Sequence, residues 1–382
     1  MAKKREPIRE EQLHNWNLLD QFRQRVLPLL KARAPTATEE DERRTLFAED
    51  YFCSCLFAML NPVITSMNAL CHVSHCRKMR QVSAAPFSPA TFSEGQHVFD
   101  PEILEKVVGE LARENQGRGQ GGDPRVRQAL KALTAVDGTV LRAVPRMAWA
   151  PAGGSGTALK LHLHFNVFDQ IPEAWPITPG NVSERKVFAQ TVEPGAMIVA
   201  DRNYGHEFAL LVQLQERGIH FVLRLFNNLV LEPAGPERPL TGADRSAGVV
   251  WDRRVRLGAH GEGPVLRVVR IEASGDVFHL VTTREDLSAE LIGLIYRQRW
   301  QIELFFKWIK TILNCRHWLA ESPAGVRIQI YCVLIASLLL MLWTGRRPTK
   351  RMVESLQWYW TGLASAQDLV TLLRRAGCSK KS

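Results

Sequence analysis

Three carboxylates in this 382-residue chain have neighbours suited to chemistry on phosphates. Asp137 sits in AVDGT, Asp201 closes the apolar run AMIVAD, and Glu303 lies inside YRQRWQIELFFKWIK, residues 296 to 310. Two divalent ions about 3.5 to 4 Å apart need acidic oxygens from several elements, and such a pair activates water and stabilises the leaving oxygen in phosphodiester cleavage. Hard oxygen donors suit Mg²⁺, with Mn²⁺ as a substitute. Each acid alone has a plainer reading. Aspartates commonly end strands as turn formers, and Glu303 is spaced four residues from Lys307 for a surface helical pair. The company of Glu303 argues further. At about 100° per residue, Tyr296, Arg299, Glu303 and Lys310 share an arc of roughly 60° with Lys307 beside it, which sets donors for phosphate oxygens around one acid. The other side collects Leu294, Ile302, Phe305, Ile309, Ile312 and Leu313, an apolar stripe that must bury.

The elements that would position these acids follow from periodicity. Residues 1–125 are mostly helical in pattern, through LLDQFRQRVLPLL and YFCSCLFAML, and Ser93 in FSPATFSEG is a candidate helix cap. The glycine-rich GRGQGGDP, 117–124, reads as a linker and boundary. Strands begin at KALTAVDGTVLRAV. TALKLHLHFNVF then alternates Leu159, Leu161, Leu163, Phe165 and Val167 against Lys160, His162, His164 and Asn166, which predicts a half-buried strand. His162 and His164 would share its polar face as solvent- or DNA-facing imidazoles, a metal role being the sharper alternative. AMIVAD is a fully apolar strand, and Asp201 at its carboxyl end lies where open α/β sheets place ligands. The helix-like HEFALLVQLQERG and the strand IHFVLRL follow, so the order indicates an α/β sheet. VVWDRRVRL, PVLRVVRIEA and VFHLVTT make residues 226–284 a β-rich insertion. Helices return from Leu287.

Composition narrows the class. A formal net charge of +10 and 46% hydrophobic residues describe a folded protein with a polyanionic partner, nucleic acid first. Seven unevenly spread cysteines do not resemble a secreted disulfide framework and point to a reducing cytoplasm. Cys53, Cys55, Cys71 and Cys76, with His72 and His75, fit no zinc module and are expected to be buried helical thiols. MAKKREPIREE lacks the apolar stretch of a signal peptide. The run Ile330 to Trp343 is shorter than a membrane span, so a buried core helix ended by Arg346 and Arg347 is expected, with no membrane role.

The pattern Tyr296-x2-Arg299-x3-Glu303-x6-Lys310 resembles the Y-R-E-K signature of bacterial insertion-sequence transposases of the IS4 type. AVDGT and VADRNY resemble the two acidic motifs of that family, and the likeness runs from about 130 to 345. The resemblance implies an α/β, RNase H-like catalytic domain (126–225 and 285–345) interrupted by the β-rich insertion. A helical N-terminal DNA-binding or dimerisation region (1–125) and a basic helical tail (346–382) would flank it. It implies a catalytic, metal-binding triad of Asp137, Asp201 and Glu303 on a two-ion Mg²⁺ site. It further implies binding of the element's terminal inverted repeats, nicking, and joining of the freed 3′-hydroxyls to target DNA, carried out by a homodimer in the cytoplasm, at the nucleoid. Tyr296, Arg299 and Lys310 would hold phosphates, with Arg202, Tyr204 and Lys307 also within reach of DNA. Trp251 and Trp300 are candidates for base stacking, and otherwise for the core. Arg253, Arg254, Arg256, Arg267 and Arg270 are candidates to track the backbone; RRPTKR and LLRRAGCSKK would contact DNA or solvent. A metal-dependent endonuclease without strand transfer and a DNA-binding protein without catalysis are the rival readings.

Overall fold

The computed structural model describes residues 17–61, 63–144, 146–152, 156–259, 263–311 and 317–378. The MAKKREPIREE stretch, Ile312 and Leu313, to which the sequence reading assigned roles, lie outside them. Helices come first: α1 (Asn17–Lys31), α2 (Ala48–Leu60), α3 (Met67–Ser74), α4 (Pro89–Val98), α5 (Glu102–Asn115) and the short α6 (Pro124–Ala129). From Tyr51 to Leu60 every residue of α2 is buried, as a helix apolar on all sides requires. The cap of α4 is Ser88, whose hydroxyl accepts from the Thr91 N–H at 3.1 Å. Ser93, expected in that role, lies inside the helix and accepts from Gln96.

A mixed sheet follows: β1 (Thr134–Arg142), β2 (Ala158–Asn166), β3 (Ile171–Ala174), β4 (Ile177–Pro179), then α7 (Glu184–Thr191), β5 (Met197–Ala200), α8 (Arg202–Gly205), α9 (Phe208–Glu216) and β6 (His220–Arg224). Next come β7 (Leu231–Glu237), α10 (Gly242–Ser246), β8 (Val249–Leu257), β9 (Val265–Ala273) and β10 (Asp276–Thr282). The chain closes with α11 (Ala289–Gln298), α12 (Trp300–Thr311), α13 (Pro323–Thr344), α14 (Lys350–Trp360) and α15 (Ala366–Cys378). The ten-stranded sheet runs β3-β2-β1-β5-β6-β10-β9-β8-β7, with β4 also on β2. β1, β5 and β6 are parallel, while β2 and β10 are antiparallel to their neighbours. The strands of 226–284 therefore continue the same sheet, because β10 pairs directly with β6.

Period-two alternation divides the sheet into two buried faces. Val136, Ile198, Ala200, Phe221 and Leu223 pack with Phe188 of α7 and Leu210, Leu211 and Leu214 of α9. Ala135, Phe165, Val199 and Val222 join the larger core with Ile292, Ile295, Ile302 and Phe305 of α11 and α12. β2 is covered on both faces, so the half-buried strand expected from its alternation is corrected. His162 and His164 are only 4% and 6% exposed and face neither solvent nor DNA. Their Nε2 atoms lie 2.8 Å from the Thr178 hydroxyl and 3.1 Å from the Thr191 hydroxyl, and burial pushes both imidazoles down to about 4.

The expected linker at 117–124 is packed. The Gly121 N–H donates to the Phe168 carbonyl at 2.9 Å, and a Cβ at Gly119 would stand 2.2 Å from the Asp169 Cα. α13 is the core helix that its composition suggested: it is long and apolar enough to span a membrane, yet 89% of its most apolar window is buried against the protein, with α2 and α5 as main neighbours. Gly345 ends it at φ 66°, which favours a residue without Cβ. Cys53, Cys55, Cys71 and Cys332 are buried thiols on α2, α3 and α13, whereas Cys76 is exposed.

Candidate active site

The parallel register pairs Thr134 with Ile198, Ala135 with Val199 and Val136 with Ala200. One step further brings Asp137 beside Asp201 at the carboxyl end of β5. Asp137 shares the parity of Ala135, and Asp201 that of Val199, so both project toward the face covered by α11 and α12. Local bonds orient them: Asp137 Oδ1 accepts from the Gly138 N–H at 2.8 Å, and Asp201 Oδ1 caps α8 by accepting from the Asn203 N–H at 2.9 Å. Burial, then the neighbouring Asp201 charge, push the Asp137 carboxyl up to about 7. Asp201 is raised as well, mainly by burial, and the positive charge of Arg299 works against both shifts.

The helix carrying the third acid differs from the single helix of the sequence reading. It breaks at Arg299, whose N–H bonds the Tyr296 carbonyl at 3.0 Å while its own carbonyl accepts from Ile302 at 3.2 Å, both three-residue spacings. The apolar stripe of Leu294, Ile302, Phe305 and Ile309 is buried as expected, and Phe305 packs on Phe165 of β2 with ring centroids 5.0 Å apart. Glu303 is paired, but the partner shown is Arg299, whose Nη1 lies 2.6 Å from Oε1, rather than the expected Lys307. The guanidinium also stands 5.8 Å from the Tyr296 ring centroid, and its buried Nε has no hydrogen-bond partner among the described residues. Arg299 is thus the cation at the meeting point of all three acids.

A fourth carboxylate lies nearby, on the other face of β1. Glu184, in the first turn of α7, lies against Gly138 and raises both aspartates electrostatically. It stands in TPGNVSERK, and no periodicity or strand-end position singled it out. The all-oxygen donor set fits Mg²⁺ or Mn²⁺. As the side chains stand, no group of three or more His, Cys, Asp or Glu among the described residues is disposed to hold a metal ion. Glu303 is engaged by Arg299, so a divalent ion must compete with a guanidinium for that carboxylate.

The other candidates separate by exposure. Trp300 is 56% exposed, Lys307 and Arg202 are exposed, and Lys310 is half-buried; the Arg202 guanidinium lies 5.3 Å from the Phe226 ring centroid. A cleft of about 800 Å³ lined by Arg125, Phe278, Tyr296, Arg299 and Trp300 reaches Arg299, but none of the three acids lines it. Tyr204 is corrected: it is 1% exposed and packs edge-on against Phe188, so it belongs to the core. Trp251 is half-buried between Arg253, 4.6 Å from its ring centroid, and His279, 5.8 Å away. Arg253 pairs with Glu237 at 3.2 Å and the exposed Arg254 with Glu285 at 3.5 Å. Arg256 donates to the Gly263 carbonyl, and Arg270 pairs with Glu272. Arg267 is a second correction: at 1% exposure it is bound to Asp252 inside the sheet and cannot track a DNA backbone.

The raised aspartates give a pH signature. A carboxyl titrating near 7 when folded and near 3.9 when unfolded binds more protons in the folded state, so its contribution to stability falls as pH rises across that window. His162 and His164, pushed down to about 4, act oppositely, because between about 4 and 6.5 the unfolded chain takes their protons. Asp137→Asn removes only the first contribution. The melting temperature of the variant relative to the unsubstituted protein, measured in chelator, is expected to rise from pH 4 to 7 and then level. A pH-independent difference would count against a protonated Asp137.

A family model described as "Transposase DDE domain" matches residues 128–339, which include all three acids. The chain is 28% identical over 246 residues to "Putative transposase y4zB" of Sinorhizobium fredii, a match covering 63% of this chain and 66% of that protein. It is 29% identical over 214 residues to "Probable transposase for insertion sequence element IS5377" of Geobacillus stearothermophilus, covering 55% and 56%. A third match, "Putative transposase for insertion sequence element IS4SA" of Synechocystis, is 24% identical over 256 residues, covering 66% and 71%. The first two matches thus span between about half and two thirds of those relatives' length.

Proposed function

The chain belongs to the DDE transposase family, and from that membership we propose that it binds the terminal inverted repeats of an insertion sequence, cleaves at them and joins the freed 3′-hydroxyls to target DNA. The observation that carries this reading is the convergence of Asp137 and Asp201, set side by side by the β1–β5 register, under the helix break that presents Glu303 and Arg299. The order β3-β2-β1-β5-β6 supports an RNase H-like catalytic domain, here extended by β10 to β7. Asp137, Asp201 and Glu303 would hold Mg²⁺ or Mn²⁺, which when bound supplies Lewis acidity to the scissile phosphate and lowers the pKa of attacking water.

The chain's own residues do the rest. Packing of Phe305 on Phe165 fixes α12 against β2, so the Glu303 backbone is held while Arg299 engages its carboxylate. Asp137 must give up its proton to serve as an anionic ligand, and Arg299 must share its guanidinium between Glu303 and phosphate oxygens. Lys310, Lys307, Trp300 and Arg202 continue the cationic and aromatic surface along which an element end would lie. Two ends must be held together for paired joining, so the active species is a homodimer on DNA, acting in the cytoplasm at the nucleoid.

The test is an in vitro reaction with element-end duplex, a target plasmid and Mg²⁺. Joined products are expected. Nicks without joining would favour the endonuclease reading, and end binding without cleavage the purely DNA-binding one. Arg299→Ala and Lys310→Ala are expected to weaken end binding or shift the cleaved phosphate, read by mobility shift and sequencing gel. Unchanged strand transfer in either would remove that residue from the DNA path.

A further inference from the structure

Positive charge is concentrated in one turn of the N-terminal helices. Between Asp50 and Glu94 the sequence holds no acidic residue, and its only lysine or arginine side chains there are Arg77, Lys78 and Arg80. They lie on the 3₁₀ turn Arg77–Gln81, which follows α3. At three residues per turn Arg77 and Arg80 stand one above the other with Lys78 beside them, while Met79 turns inward and is 3% exposed. All three cations are exposed, as are His72, His75 and Cys76 just before them. None of the three forms an ion pair among the described residues; Arg80 donates to the Ala84 carbonyl at 3.3 Å. Three other arginines of this region are neutralised: Arg23 pairs with Glu49 at 2.9 Å, Arg25 with Glu114 at 2.7 Å and Arg44 with Glu94 at 3.1 Å.

The turn is pinned on both sides. Ser74 Oγ accepts from the Phe87 N–H at 3.1 Å, the Arg23 guanidinium donates to the Val82 carbonyl at 3.1 Å, and the Asp50 carboxylate accepts from the Ala84 N–H at 3.0 Å. Its place relative to the active site is fixed as well. α3 packs on α4, and Gln96 of α4 accepts from the Glu321 and Ser322 N–H groups at 2.9 and 2.8 Å. In the same connection Trp318 donates to the carbonyl of Arg142, where the strand carrying Asp137 ends. A surface shaped only for solubility intersperses both signs of charge. This one presents a single sign, unpaired, on a pinned turn, and so fits a row of phosphates. Resting on the reading that the chain binds element ends, we propose that Arg77, Lys78 and Arg80 grip the phosphate backbone of the duplex that leads away from the cleavage point. This DNA contact belongs to the N-terminal helices and is separate from the three acids and from α12.

The test is fluorescence anisotropy of labelled DNA over a salt series, with an element-end duplex and an unrelated duplex of equal length. For the combined Arg77→Ala, Lys78→Ala, Arg80→Ala variant, the slope of log affinity against log salt is expected to flatten by about 2.7, from three contacts at about 0.9 each. The loss is expected on both duplexes, because phosphates carry no sequence. An unchanged slope would overturn the proposal, and so would a loss confined to the element end, which would mean base reading instead. A circular dichroism melt checks that the variant folds. The second measurement needs no substitution: Cys76, exposed beside the cations, is expected to react several-fold more slowly with N-ethylmaleimide when duplex is bound and to recover in high salt, read by peptide mass spectrometry. Equal reactivity of Cys76 with and without duplex would also overturn the proposal. If the unsubstituted protein binds neither duplex, the DNA reading itself fails, whereas normal binding with an unaltered slope in the variant defeats only the role of this turn.

Discussion

Asp137→Asn is expected to lower Mg²⁺-dependent cleavage of element ends by on the order of 10³-fold or more, since several kcal/mol of transition-state stabilisation depend on an anionic oxygen at that position. Asn is the informative substitution because its carbonyl oxygen can still accept from the Gly138 N–H, so the strand keeps its geometry while the charge is removed. Folding should not suffer. The unsubstituted protein buries two neighbouring carboxyls of like charge, and removing one relieves that repulsion at neutral pH. Asp201→Ala and Glu303→Ala are expected to lose cleavage to the same extent, with end binding largely intact, because the phosphate contacts reside in cationic and aromatic residues. A denaturing gel of end-labelled duplex and a mobility shift under identical salt separate the two effects. Cleavage at the unsubstituted rate in any of the three variants would remove that residue from the triad.

Arg267→Ala is expected to destabilise the fold by about 3 to 5 kcal/mol, the usual consequence of stranding one partner of a buried ion pair. The Arg267 Nε and Nη2 lie 2.9 and 2.6 Å from the Asp252 carboxylate, and Nη1 donates to the carbonyls of Arg284 and Leu287. Asp252 is 3% exposed, and its other cation, Arg238, is 3.7 Å away. Removing the guanidinium therefore strands a carboxylate and two carbonyls between β8, β9 and the start of α11. Urea denaturation should show the loss. The salt dependence of end binding should keep its slope, because Arg267 reaches no phosphate. Arg254→Ala gives the opposite profile: its exposed pair with Glu285 contributes little to stability, while a lost phosphate contact would flatten the salt slope by about 0.9. Equal stability of Arg267→Ala and the unsubstituted protein would show that the Asp252 pair does not hold the strands.

The contrast between Arg267 and Arg254 shows where sequence reading stops. Both lie in alternating basic strands, and alternation states only that two residues share or oppose a face. Which face is buried depends on what packs there. The same limit applies to β2: its polar residues fall at every second position, as on a solvated strand, yet α7 covers His164 through Thr191 and β4 covers His162 through Thr178. Tyr204 followed a strand-end aspartate and so resembled a ligand contact, but one helical turn carries its ring back under Phe188.

The apolar stripe that docks α12 and the apolar run that forms the buried α13 were legible from the sequence, because both are local patterns; the grouping of Asp137, Asp201 and Glu303 rested on the family resemblance. The partner of Glu303, the extension of the sheet through β10, and the approach of Glu184 over Gly138 were decided by tertiary structure alone. Arg299 precedes Glu303 by four residues and Lys307 follows it by four, so spacing offers the acid two equivalent cations. The break at Arg299 turns one of them inward toward Asp137 and Asp201. Glu184 precedes Asp201 by 17 positions and comes to lie over Gly138 because α7 crosses from β4 to β5 over the sheet. Helix and strand periods specify which side chains share a face; only the packing of one element on another specifies which charges meet.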